Sequence, residues 1–414
     1  MSVNAPPFSH EPVVQELLDM IKAKKWENDF ASGIKEAIKA APVDLAKAHI
    51  YEGQNNDQTI KYFLDFCDRY LRWVPYTTSA RDEPLWVLSL FYFVFDQKGI
   101  VEKQTPIEPK YIGQHTELSH WLQKYANTLG TWMDTGASGD IVSSFSNNPE
   151  YTVFQYEEPP GGWKTYNEFF TRKVKPIYRP ISPINTVASP CDAKFDGFWP
   201  ISQDGEVDLR INLKGFLWPI KHLLKDIPAD VVNKFHGGTF MHSFLLPNNY
   251  HRVHAPVSGT VKHRAKIPGD VYLEVTADPE TGTLLPPSRR MKPMPYKDRN
   301  GKDQIDAQNN PGYQWNQVRG LWLIDTTGSK DIDIGHVALF AVGMAQISSV
   351  KWDETGAPGT TIKKGDELGM ISYGGSDYIL MFEPGKVHFS DKKGDESPKK
   401  DVLYLQGAAL VSKI

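Results

Sequence analysis

Cysteine is almost missing from this chain: 414 residues contain only Cys67 and Cys191. Two thiols cannot build a disulfide framework or a cysteine-rich zinc site. Long apolar runs are missing too. The longest, Leu85 to Phe95, has 11 residues with Ser89 inside it, about half of the roughly 20 that a spanning helix needs, so it reads as a buried core helix. An excess of basic charge is also lacking. Lys and Arg number 46 against 50 Asp and Glu, a net charge of −4, which offers no electrostatic basis for binding nucleic acid or an anionic membrane surface. The N-terminus, Met1-Ser-Val-Asn-Ala-Pro-Pro7, has neither a basic start nor an apolar stretch behind it, so no signal peptide is expected and a cytoplasmic location is the default. What remains is the composition of an ordinary globular protein, 40% hydrophobic and 23% charged, which rules out whole-chain disorder, collagen and coiled coil. The length suggests two or three domains, each able to bury a core. The 11 tryptophans, 18 tyrosines, 32 glycines and 30 prolines are the unusual features.

The chain divides by periodicity. Val14, Leu17, Leu18 and Ile21 recur at helical spacing, as do Ile60, Phe63, Leu64, Cys67 and Leu71, and then Leu118, Trp121, Leu122, Tyr125, Leu129 and Trp132. Such stripes predict amphipathic helices packed together, with Cys67 as a small core residue. His49, His115 and His120 have no partner at a useful spacing. Between Thr135 and Pro160 the texture turns to Gly, Ser, Asn and Pro, a linker or surface loop that places a domain boundary near 150. From about 185 short β-branched and aromatic runs alternate with turn residues, as in Val271–Val275, Leu321–Asp325 and His336–Val342. Residues 279–311, with six prolines, read as an exposed insertion able to shape a substrate entrance. The fold class expected is α+β: a helical N-terminal domain over 1–150 and a β-rich domain over 151–414.

Chemistry could reside in three places. Tyr250-His-Arg-Val-His254 carries two histidines and an arginine within four positions, enough for an acid, a base and a carboxylate clamp. In a strand, residues three apart point to opposite faces, whereas a turn lets them converge. A zinc site and a purely structural histidine pair compete with catalysis here. No HExxH pattern and no further ligand at suitable spacing accompanies them, so no metal is expected. Tyr373-Gly-Gly-Ser-Asp377 follows a strand. It is either a simple hairpin turn or a strained loop presenting a serine to its own preceding carbonyl. Ser189-Pro-Cys-Asp192 is either a turn before a strand or the source of a carboxylate that orients a histidine. The order Asp192, His254, Ser376 is compatible with a triad, because triad order differs between folds.

These segments together resemble the phosphatidylserine decarboxylase family over roughly 163–414. Tyr166-Asn-Glu-Phe-Phe-Thr-Arg172 with Arg179-Pro-Ile181, Ser189-Pro-Cys-Asp192, Lys214-Gly215 with Leu223-Leu224, Leu246 to Pro256, Phe340 to Ile347, and Gly365-Asp-Glu-Leu-Gly369 leading to Gly375-Ser376 follow the family's motifs in order. The family's usual Leu-Gly-Ser-Thr is here Gly374-Gly375-Ser376-Asp377, and Ala193 replaces the glycine that usually follows the aspartate. The helical region before 150 is similar to that of soluble fungal members, including decarboxylases of tryptophan.

The resemblance implies a self-made cofactor and an α+β enzyme with a phosphatidylserine-decarboxylase-like catalytic domain. His254, oriented by Asp192, would take the Ser376 proton. The Ser376 oxygen would attack the Gly375 carbonyl, backbone amides would hold the oxyanion, and elimination would cut between Gly375 and Ser376. Ser376 would end as a pyruvoyl group at the head of residues 376–414. This group takes the place of PLP as the electron sink for decarboxylation through a Schiff base, so neither PLP nor a metal is expected. His251 would supply the proton that replaces CO2, and Arg252 and Gly374 are candidates for binding substrate. The substrate expected is a free, aromatic, tryptophan-like amino acid, with the phosphatidylserine headgroup as the alternative. A catalytically inactive scaffold of the same fold and a biotin or lipoyl carrier, for which only Lys292 between two methionines is available, are the other classes. No nucleic-acid partner and no integral membrane segment are expected, and the oligomeric state is unreadable from sequence.

Overall fold

A computed structural model describes residues 10–78, 82–107, 114–208, 217–285, 296–297, 303–304, 313–344, 350–389 and 397–414. Much of the 279–311 insertion, the Lys214-Gly215 pair and part of the Phe340–Ile347 motif lie outside the described residues. The architecture is α+β, with helices first and sheets after them.

The apolar stripes become helices Pro12–Ala23, Glu27–Ala40, Asn56–Leu71 and Glu117–Met133. Side chains of Asn55 and Thr116 cap two of them by accepting from the amides of Gln58 and Ser119, satisfying donors that a helix start leaves free. The Leu85–Phe95 run lies in helix Glu83–Phe95, buried along almost its whole length, which explains why it shows no polar face. Cys67 is a buried thiol, as its stripe predicts. Tyr125 Oη donates to the Cys67 carbonyl at 2.7 Å and Trp121 Nε1 to the Val13 carbonyl at 2.6 Å, so these aromatics fill the core while their polar tips are satisfied.

An eight-stranded antiparallel sheet carries the second half. Its spatial order is Thr361–Ile362, Gly259–Ile267, Val318–Asp325, His336–Met344, Gly375–Phe382, Thr239–Leu245, Ala193–Pro200, Leu403–Tyr404. Side chains alternate between two cores, as the two-residue period of a strand requires. Ile379 and Met381 join the core that includes the helices. Tyr378, Leu380 and Phe382 join the other, with Val253, Leu368 and Ile371 from a small sheet of Val350–Trp352, Glu367–Ile371 and Arg252–His254. Burial on both faces accounts for the near-continuous apolar run of Gly375–Phe382.

The chain leaves the small sheet at Ile371 and enters the large one at Gly375. The crossover is Ser372-Tyr373-Gly374. Gly374 has φ +145°, a conformation essentially confined to glycine. The same small sheet brings His251 alongside, through a 2.9 Å bond from the Ile371 amide to the His251 carbonyl.

Candidate active site

Ser376 is the second residue of its strand and wholly buried. Its Oγ lies 3.2 Å from His251 Nδ1. The other ring nitrogen, Nε2, is 3.0 Å from the Leu246 carbonyl. A carbonyl can only accept, so Nε2 carries a proton, and in the neutral ring Nδ1 presents its lone pair to the serine hydroxyl. The ring is also held from the side: it stacks on Phe170 with centroids 4.0 Å apart and planes at 25°. Phe170 closes a short helix, Tyr166–Phe170, fixed by a capping box between Thr165 and Glu168.

The crossover before Ser376 is pinned at both ends of Tyr373. Its amide donates to Asn167 Oδ1 at 3.1 Å, and its hydroxyl donates to the Pro84 carbonyl at 2.9 Å. Burial raises the Tyr373 pKa, so the phenol remains a donor. Tyr166, Phe170 and Tyr373 form an edge-to-face and tilted aromatic wall beside the crossover.

His254 and Asp192 sit differently from the expectation that paired them behind Ser376. His254 Nδ1 donates to the Gly365 carbonyl at 2.8 Å, and Nε2 accepts from Tyr250 Oη at 2.9 Å. Burial pulls its pKa below the usual imidazole value, consistent with a neutral ring. The reason is strand geometry. His254 ends the strand Arg252–His254 while His251 precedes it, so the two rings leave the chain in different directions, and His251 is the one that meets Ser376. Asp192 is engaged elsewhere. Arg179 Nε and Nη2 donate to its two oxygens at 2.9 and 2.6 Å, and the Gln406 amide donates at 2.7 Å. Burial opposes the Arg179 charge, but the paired carboxylate outweighs it and raises its pKa. Asp192 thus anchors the Arg179-Pro-Ile motif and reaches His254 only through space.

Arg252 donates from Nε to the Thr171 carbonyl at 2.7 Å and pairs through Nη1 with Glu367 across the small sheet. These bonds tie the small sheet to the end of the Tyr166–Phe170 segment. Gly374 stands in the crossover, where its backbone conformation matters. Among the described residues, His10, Asp65 and Asp68 are the one trio of ligand-type side chains close enough to share an ion, and they lie on the helical half. Phe170 and Arg179 were visible only as letters of a motif. Tyr250 as partner of His254, and His242 and Asp196 behind Asp377, carried no sequence signal beyond their polarity.

A family model described as phosphatidylserine decarboxylase matches residues 166–400. The chain belongs to the phosphatidylserine decarboxylase family. Among its relatives, the phosphatidylserine decarboxylase proenzyme 3 of Schizosaccharomyces pombe is 31% identical over 289 residues, covering 69% of this chain and 26% of that protein. The proenzyme of Azotobacter vinelandii is 25% identical over 300 residues, covering 68% of this chain and 91% of the relative. Proenzyme 2 of Oryza sativa subsp. japonica is 28% identical, covering 71% of this chain and 42% of the relative. The family match begins at Tyr166 and takes in Phe170, Asp192, His251, His254 and Ser376, while the six-residue-or-longer helices of the N-terminal half precede it. No described helix is long and apolar enough to cross a membrane.

Proposed function

We propose that this chain is a proenzyme that cuts itself between Gly375 and Ser376, turns Ser376 into a pyruvoyl group, and then decarboxylates phosphatidylserine. The observation carrying this reading is the contact of Ser376 Oγ with the unprotonated Nδ1 of His251. It occurs at the Gly-Ser bond where the family's motif ends. The residues present fit the making of the group: a buried serine hydroxyl, an oriented acceptor, and a glycine-only backbone at Gly374 just ahead.

The steps assigned to this chain's own atoms follow. His251 Nδ1 takes the hydroxyl proton, and Oγ bonds to the Gly375 carbonyl carbon. The Gly375–Ser376 C–N bond breaks, and an ester replaces the peptide. Loss of the Ser376 α-proton with departure of the Gly375 carboxylate leaves dehydroalanine, which water converts to the keto group and ammonia. Once formed, the pyruvoyl group supplies an electron sink for decarboxylation of an amine-bearing substrate. Phe170 stacks on the ring of His251, which is wholly buried.

Phosphatidylserine is favoured as substrate by the names of the relatives. A free aromatic amino acid is the second reading. It is favoured by the wall of Tyr166, Phe170 and Tyr373 and by the tie from Tyr373 to Pro84, which makes the helical half part of the site's surroundings. Intact-mass measurement tests the first step: the wild type should yield fragments 1–375 and 376–414, and Ser376→Ala should remain whole. CO2 release from phosphatidylserine vesicles, tryptophan, tyrosine and phenylalanine then separates the substrates. Turnover on the free amino acids alone would replace the lipid reading with the second.

A further inference from the structure

One short helix touches both sides of the reacting pair. Tyr166–Phe170 has five residues and carries Asn167 and Phe170 three positions apart, hence on one face. Phe170 stacks on the His251 ring with centroids 4.0 Å apart. Asn167 Oδ1 accepts from the Tyr373 amide at 3.1 Å, at the start of the stretch Tyr373-Gly-Gly-Ser376. The base and the crossover that leads to the nucleophile are therefore set against the same bracket.

The bonds of Asn167 leave it one orientation. Nδ2 donates to Asp134 Oδ1 at 2.9 Å and to the Gly130 carbonyl at 3.3 Å. Both partners are acceptors, so the amide nitrogen faces them and the oxygen faces the Tyr373 N–H. The side chain is buried. Gly130 lies in the last turn of helix Glu117–Met133, and Asp134 caps its end. The same helix end holds the start of the bracket: the Tyr166 amide donates to Ser138 Oγ at 3.0 Å, and that hydroxyl donates to the Met133 carbonyl at 2.9 Å. The bracket stands inside the family match, which begins at Tyr166, whereas Gly130, Asp134 and Ser138 precede it. The helical half thus supplies the anchor.

The tie bears on the chemistry through the two glycines. Gly374 and Gly375 separate Tyr373 from Ser376, and glycine restricts its backbone least of all residues. Their course is fixed by what holds each end, the strand Gly375–Phe382 on one side and Tyr373 on the other. Attack of Ser376 Oγ on the Gly375 carbonyl carbon needs the two in near contact, and a misplacement of about 1 Å can cost about a hundredfold in rate.

We propose that Asn167 is a positioning residue for self-processing: it ties the end of helix Glu117–Met133 to the Tyr373 amide and so aligns the Gly375 carbonyl with Ser376. This rests on the reading that the Gly375–Ser376 bond cleaves itself. The test follows cleavage of the full-length precursor by intact mass, at a temperature well below melting, in wild type, Asn167→Asp and Asn167→Asp/Asp134→Asn. The first substitution keeps the shape and the acceptor for Tyr373 but sets a carboxylate against Asp134. The second returns a donor to that contact. The expected result is cleavage at least about tenfold slower in the single variant and within about threefold of wild type in the double, with cooperative melting in both. A role in stability alone predicts wild-type cleavage in every variant that stays folded. Wild-type cleavage in Asn167→Asp overturns the proposal, and so does slow cleavage that the second substitution fails to improve. If Asn167→Asp does not melt cooperatively, Asp134→Ala removes the anchor from a half-exposed position, and wild-type cleavage in that variant overturns the proposal instead. A wild-type chain that stays whole removes the self-cleavage reading itself, and this proposal with it.

Discussion

Replacing His251 by glutamine should stop self-processing while replacing His254 should not. The geometry sets the magnitudes. His251 Nδ1 is within 3.2 Å of Ser376 Oγ and its other nitrogen is committed to the Leu246 carbonyl. Losing a positioned general base costs about 10²–10⁴ in rate, or roughly 3–5.5 kcal/mol of barrier. His251→Gln also loses the stack on Phe170, a further stability loss of about 0.5–1.5 kcal/mol that is too small to unfold a domain of this size. In His254→Gln the Gly365 and Tyr250 bonds are disturbed. That should cost about 1–3 kcal/mol of stability, with cleavage slowed by less than about tenfold, since no reacting atom is touched. The assay is a time course of freshly translated chain on a denaturing gel, following the loss of precursor and the gain of 1–375 and 376–414, with melting curves as a control for folding. Blocked cleavage in His254→Gln beside normal cleavage in His251→Gln would refute the assignment of the base.

Three further outcomes follow from the same neighbourhood. Asp192→Asn leaves the Arg179 guanidinium buried without its carboxylate, which should destabilise the protein by about 3–5 kcal/mol, and an unchanged melting temperature would count against the pairing. Gly374→Ala forces a Cβ onto φ +145°, at a cost of about 1–3 kcal/mol; chemical unfolding should show it, together with slower cleavage, and full stability would mean that the crossover relaxes freely. His242 has a folded pKa raised to about 9 against an ordinary value near 6.5, so its contribution to stability is complete below about pH 6.5 and is lost as pH rises through about 9. The gap in melting temperature between wild type and His242→Gln should therefore narrow across that window, and a constant gap would show that the ring is not charged in the folded protein.

Much of this fold was readable because its signals are local. The helical stripes, the buried run Leu85–Phe95 and the strand His336–Met344 announce themselves through periodicity and composition, which depend on neighbours in sequence. The motif letters likewise drew attention to Ser376 and both histidines, but pointed to His254 with Asp192 as the pair behind the serine, where the structure places His251. What stayed hidden is pairing across distance. Asp192 meets Arg179 and Gln406, and Asp377 meets His242 and Asp196 through a bulge. Neither meeting has a spacing rule: Arg179 and Gln406 lie in loops beside the sheet, and strand order brings His242 between Asp196 and Asp377. The two histidines show where a physical constraint was available. Residues three apart in extended chain point to opposite faces, so a single serine cannot meet both His251 and His254 unless the segment turns. The segment runs as a strand from Arg252, and this alone forces a choice. The strand pairing then makes it: Ile371 bonds to His251 just before the chain crosses to Gly375, so the residue paired at the end of the small sheet is the one delivered to the serine that opens the large one. The reactive contact is thus a consequence of where one sheet hands the chain to the other, and moving that handover by one residue would turn Ser376 toward His242 and Asp377 toward His251.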